Sequence, residues 1–177
     1  VEGTPVIQYD IHQNGNQLWM LVPVQEPKAA KHKKEEGDVA PKFKPKVKSY
    51  YKIVSTLDAT KALTLNPTNL ELQVKTFEDE ANQKFSIHSE NDKFGIVACG
   101  SLNGLCVFGD KVDNSAKVIA DSGKHLSSWF DIVRTEKGPF AYKGYIIMTH
   151  TGTKALDISG GKAEDNKPVV QYQLHEN

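Results

Sequence analysis

Arginine is almost missing from this chain. Arg134 is the only one, and the remaining basic residues are lysines, which together balance the acids to a formal net charge of zero. A neutral chain lacks the basic excess by which a nucleic-acid binder or a membrane-surface protein shows itself. No apolar run approaches the roughly 18 residues of a membrane-spanning helix. The chain starts at Val1, without a Met and without a basic-then-apolar leader, and so reads as a mature or excised piece. A secreted or cell-surface placement is slightly favoured. No Asn-x-Ser/Thr acceptor is present, because Asn66 is followed by Pro67.

Catalytic signatures are absent too. There is no G-x-S-x-G, H-E-x-x-H, P-loop or C-x-x-C, so no enzyme class is indicated. The histidines are scattered and show no metal-ligand spacing, so neither metal nor cofactor is expected. Two cysteines occur, Cys99 and Cys106, in "ACGSLNGLC". They flank a Gly-rich turn between two apolar runs and face each other across a hairpin either as a disulfide or as two small buried thiols. Their spacing is neither a zinc knuckle nor a redox pair.

Helical periodicity is the last absence. No stretch holds a capped 3.6-residue repeat over about a dozen residues. Short runs rich in Val, Ile, Leu, Phe and Tyr follow one another instead, punctuated by Gly, Asn, Asp and Pro. "YYKIVS", "KALTL", "LELQVKT" and "KFSIHS" form one set; "KFGIVAC", "GLCVFGD", "AKVIADS" and "SWFDIV" a second; "GYIIMTH", "KALDIS" and "PVVQYQL" begin a third. Residues 26–49 stand apart, with eight Lys, three Pro and four acids, and read as a solvated linker outside the core.

The sets align with each other. "TKALTL" and "TKALDI" match at four of six positions, and "GLCVF" falls between them, with Cys106 opposite Leu63 and Leu156. A repeat of roughly 43 to 50 residues with four strands fits either a propeller, which needs at least about four blades, or a closed trefoil of three repeats. Three repeats select the trefoil. The expected core includes Leu63, Leu65, Phe85, Ile87, Ile96, Val97, Trp129, Ile132, Ile147, Leu156 and Ile158.

The third repeat lacks its fourth strand at the C-terminus. Residues 1–14 match 164–177 at a constant offset, with identities at Pro5, Val6, Gln8, Tyr9, His12 and Asn14, and "GNQLWMLVPV" follows only the first copy. The expected architecture is therefore all-β, a trefoil of three four-stranded repeats with the last completed by the N-terminal segment. Residues 1–25 are the half-repeat supplying the closing strand, 26–49 the linker and 50–177 the repeats. Closure occurs within one chain or by head-to-tail exchange between chains. One slot cannot hold both copies of the duplicated strand, which tips the expectation towards exchange or a tandem parent.

"KALDISGGKAEDNKPVVQYQLHEN" together with "NQLW" resembles a ricin-type β-trefoil lectin repeat, the Q-x-W family. The whole signature stands at Gln17-Leu18-Trp19; Phe replaces Trp at Gln83-Lys84-Phe85, and Ser replaces Gln at Ser127-Ser128-Trp129. The resemblance implies a non-catalytic module that binds glycans or glycoproteins of the galactose or N-acetylgalactosamine class, with no nucleic acid and no membrane insertion. It also implies a site chemistry: a carboxylate after the "AL" strand, an aromatic on the third strand and an Asn before Q-x-W. The first repeat offers Thr64 and Lys75 at the first two places, and the second Val107 and Ala120, so neither forms a site. Only the two ends together give a full set: Asp157, Tyr172 or its duplicate Tyr9, Asn16 and Gln17. The alternative is a structural or assembly module in which sugar binding is vestigial, with homo-oligomers formed by exchange of the N-terminal segment.

Overall fold

The computed structural model describes residues 15–24, 43–45, 49–136, 139–141 and 143–174. These form twelve antiparallel strands: β1 (Trp19–Pro23), β2 (Tyr50–Ser55), β3 (Lys61–Leu65), β4 (Leu72–Thr76), β5 (Phe85–Glu90), β6 (Lys93–Ala98), β7 (Gly104–Val107), β8 (Ala116–Asp121), β9 (Asp131–Arg134), β10 (Tyr145–Met148), β11 (Lys154–Ile158) and β12 (Lys167–Gln173). Among the described residues the only helices are three-residue 3₁₀ turns. The short runs become strands because their branched and aromatic side chains suit a pleated, half-buried surface. They stop where Gly, Asn and Asp accept positive φ, as at Asn91, Asp92 and Gly100.

Six strands close a barrel. β1 pairs with β2, β2 with β5, β5 with β6, β9 with β10, and β10 with β1, while Phe94↔Phe130 bridges β6 to β9. The hairpins β3–β4, β7–β8 and β11–β12 cap it, with β12 touching both β4 and β8. This is a β-trefoil, with β1 as the fourth strand of the third repeat. β1 lies against β2 over five rungs, from Trp19↔Ser55 to Pro23↔Tyr51, and leaves the barrel no open edge on that side.

The register defines the core layers. Trp19 stands opposite Ser55 and Phe85 opposite Ala98, and the Asp131↔Met148 pair puts Phe130 opposite Thr149. Trp19, Phe85 and Phe130 are all fully buried. The aromatic of the second repeat is therefore Phe130, and the expectation of Trp129 was one residue short. Strand alternation turns Trp129 outward, where it is half-buried and meets the His88 ring edge-on at 5.6 Å. Val97 is corrected for the same reason. Phe94, Ile96 and Ala98 point inward along β6, and Val97 between them is only half-buried. The rest of the expected core is buried.

Two further expectations change. Cys99 and Cys106 are both free. The Val97↔Gly104 pair sets the β6–β7 register, which carries Cys99 to the turn and leaves Cys106 some four residues further along the strand. That is about 13 Å at strand rise, too far for a disulfide. Burial pushes the Cys106 thiol up to about 11, so it is a core side chain rather than a nucleophile. The second change concerns the linker, which is not wholly outside the core. Phe43 is buried and meets Tyr51, Phe94 and Tyr145 edge-on at 5.6, 5.6 and 5.5 Å. Those three residues hold equivalent places, four before Ser55, Ala98 and Thr149 in the first strands of the three repeats. Phe43 thus plugs the mouth of the barrel on its threefold axis.

Candidate functional site

The same register identifies equivalent positions in the three hairpins. β2, β6 and β10 place Ala62, Gly104 and Ala155 on one rung. Two residues on are Thr64, Cys106 and Asp157, so the second repeat offers Cys106 at the carboxylate position, not Val107. Across the hairpins, Ala62 faces Lys75, Gly104 faces Asp121, and Ala155 faces Tyr172. Asp121, not Ala120, therefore holds the aromatic position of the second repeat. Both corrections are the one-residue shift already seen at Phe130. The first two repeats still have no carboxylate on the second strand and no aromatic on the third.

In the third repeat the set comes together. Asp157 Oδ2 accepts from Asn16 Nδ2 at 2.7 Å and from Gln17 Nε2 at 2.9 Å. Gln17 Nε2 also donates to Gln173 O at 2.9 Å, and Trp19 Nε1 to Leu156 O at 3.2 Å. Residues from the first turn of the described chain and from its last two strands thus share one network. Gln17 is buried and does not line the cleft; its amide faces inward, so it holds Asp157 rather than reaching a ligand. Tyr9, His12 and His175 lie outside the described residues.

The first repeat shows what this network does without a site. Gln83 Nε2 donates to Thr64 Oγ1 at 3.1 Å and Thr76 O at 2.8 Å, the same pair of contacts with a hydroxyl in place of the carboxylate. The glutamine is thus a structural fastener in both repeats. In the second, Ser127 takes over: its Oγ accepts from Val107 N at 3.0 Å and lies 2.6 Å from Asp110 Oδ1. The Ser127 hydroxyl, then its N–H, hold the Asp110 carboxyl below the usual carboxylate range.

Around Asp157 lies an open cleft of about 280 Å³. Tyr172 and Val170 of β12 form one wall and the 3₁₀ turn Ser159–Gly161 another, with Asn16 at one edge and Ser115, from the second repeat, at a further one. Gly160 and Gly161 hold φ of 78° and 70°, conformations that a side chain would strain. Ser115 was missed by the sequence reading because it comes from a different repeat. Among the described residues no group of His, Cys, Asp and Glu is arranged to hold a metal.

A closed six-stranded barrel capped by three hairpins is a β-trefoil, the architecture found in ricin B-like lectins. A designed threefold-symmetric protein, ThreeFoil, matches at a TM-score of 0.64 with 22% identity, over 72% of this chain and 91% of its own. The Macrolepiota procera ricin B-like lectin, solved with lactose, matches at 0.62 with 17% identity, over 72% of this chain and 87% of its own. The Rhizoctonia solani agglutinin matches at 0.60 with 17% identity, over the same shares. No protein-family model and no curated protein matches the sequence.

Proposed function

We propose that the protein is a non-catalytic carbohydrate-binding module for glycans of the galactose or N-acetylgalactosamine class, with its site in the third repeat. The observation that carries this reading is Asp157, fixed by Asn16 and Gln17 at a cleft walled by Tyr172. A carboxylate accepts strongly from sugar hydroxyls, an aromatic offers a face to the C–H side of a ring, and the fixed geometry limits the ordering cost of binding. The lactose-bound Macrolepiota procera lectin supports the sugar class by its likeness of fold.

A glycan array followed by calorimetry tests the reading. Binding should centre on galactose-terminated glycans, and Tyr172→Ala should weaken it at least about tenfold, the loss of a stacking contact and its area. Thr64→Ala and Cys106→Ala should bind as the parent does. An array without signal, or Tyr172→Ala binding unchanged, would sink the proposal. Asp157→Ala is the poorer probe. It removes the acceptor shared by the Asn16 and Gln17 amides and should cost about 1–3 kcal/mol of stability besides.

Assembly is a second reading, favoured by the duplication of residues 1–14 as 164–177. β12 occupies the third-strand slot, and β1 the fourth. A neighbour's β1 fits the same slot, giving head-to-tail exchange.

A further inference from the structure

The cleft takes one residue from outside its own repeat. Ser115 belongs to the second repeat, yet it lines the site of the third. The β12–β8 register pairs Val170 with Lys117 and Gln171 with Ala116, so the next rung sets Ser115 beside Tyr172. A ring stacked on Tyr172, with its hydroxyls towards Asp157, therefore has Ser115 on the side away from β11.

The segment leading to Ser115 is held from within the core. Gln171 is fully buried, and its Nε2 donates to Lys111 O at 2.8 Å and to Asp113 O at 2.9 Å. Ser115 N donates to Gln171 O at 2.9 Å, and Asn114 Oδ1 accepts from Gln173 N at 3.0 Å. Four hydrogen bonds thus fix residues 111–115 against β12, and Ser115 is kept at a φ of 62°, which a non-glycine residue seldom adopts. The other two repeats carry Val74 and Ala120 on the rung of Gln171, both buried. A buried amide is costly where an apolar residue would serve, and the Gln171 Oε1 is left without a partner. At the equivalent junction Asn166 N donates to Val74 O at 2.8 Å and Thr76 N to Asp165 Oδ1 at 2.7 Å with an apolar side chain on that rung, so what Gln171 adds is its hold on the Lys111 and Asp113 carbonyls.

We propose that Ser115 and the loop 111–115 form a second subsite that takes the ring next to the terminal sugar, and that Gln171 is the positioning residue for this subsite. This rests on the reading of the cleft as a sugar site. The site then distinguishes a disaccharide from a monosaccharide by the hydroxyl that Ser115 meets.

Calorimetry of the full chain with galactose and with lactose tests this. Lactose should bind about tenfold more tightly, the worth of one or two net hydrogen bonds. Ser115→Ala and Gln171→Leu should each bring lactose to within about twofold of galactose. Ser115→Ala, at a cleft edge, keeps the test independent of any loss of stability in Gln171→Leu. Equal affinities in the parent protein, or an unchanged ratio in Ser115→Ala, would overturn the subsite alone. Absence of binding to either sugar would overturn both the subsite and the sugar reading beneath it.

Discussion

At the residue scale, the core asks for a large aromatic at one rung of each repeat and is indifferent to which. Trp19, Phe85 and Phe130 fill it. Phe130→Ala should therefore cost about 3–5 kcal/mol, the penalty of a buried aromatic truncated without relaxation. Trp129→Ala, at a half-buried outer position, should cost less than half as much. Urea denaturation of the two variants decides, and the reverse order would place Trp129 back in the core. The sequence reading missed this because Trp is the motif's letter, and nothing in "SSWFDIV" marks Phe130 as the inward residue. Only the pairing of Asp131 with Met148 does so. Asp157 was legible because its hairpin repeats "TKAL" from the first repeat and differs from it in the next residue, Thr64 there and Asp157 here. Gln171 left a faint signal as a polar residue inside "PVVQYQL", repeated as Gln8 in the duplicated copy. Phe43 left none, since a lone aromatic among Lys and Pro reads as solvated chain.

At the element scale, carboxylates fasten the hairpins to each other. Asp165, in the turn before β12, accepts from Lys61 Nζ at 2.8 Å and from Thr76 N at 2.7 Å, and so ties the β3–β4 hairpin to the β11–β12 hairpin. The Lys61 hydrogen bond first, then the Thr76 N–H, hold its carboxyl below the usual range. A depressed folded-state pKa contributes stability that is complete above the unfolded value, near about 4, and is lost as pH falls through the folded value. Asp110, held down by Ser127, acts in the same sense. Thermal melts should thus be level from about pH 7 to about 5 and decline below about 4, with a shallower decline in Asp165→Asn. Asp165 is exposed and Asp110 half-buried, so the effect is modest and shrinks with salt. An Asp165→Asn profile parallel to the parent's would remove Asp165 from the account. The strands themselves were legible, because each is a short branched-apolar run ended by a turn residue. Their equivalences were not. A four-residue strand such as β7 after a Gly-rich turn aligns almost as well one place over, and Ser115 reaches its site across a repeat boundary that local pattern cannot show.

At the scale of the whole molecule, the N-terminal strand is the piece on which closure depends. It supplies Trp19 to the core, Gln17 and Asn16 to the Asp157 network, and partners to β2 and β10. Removing residues 1–24 should abolish the cooperative melt and sugar binding together. A 25–177 fragment that melts at the parent's temperature would show the strand to be dispensable. If neighbouring chains exchange this strand, light scattering should show mass rising with concentration. Phe43 then sets how far such an exchange can extend. While it stays seated among Tyr51, Phe94 and Tyr145, it works as a mooring post. The lead paid out to β1 runs only from Val24 to Lys42, which spans at most about 65 Å when fully drawn. Chains whose barrels sit further apart than that lead allows cannot share a strand until one of them slips its mooring.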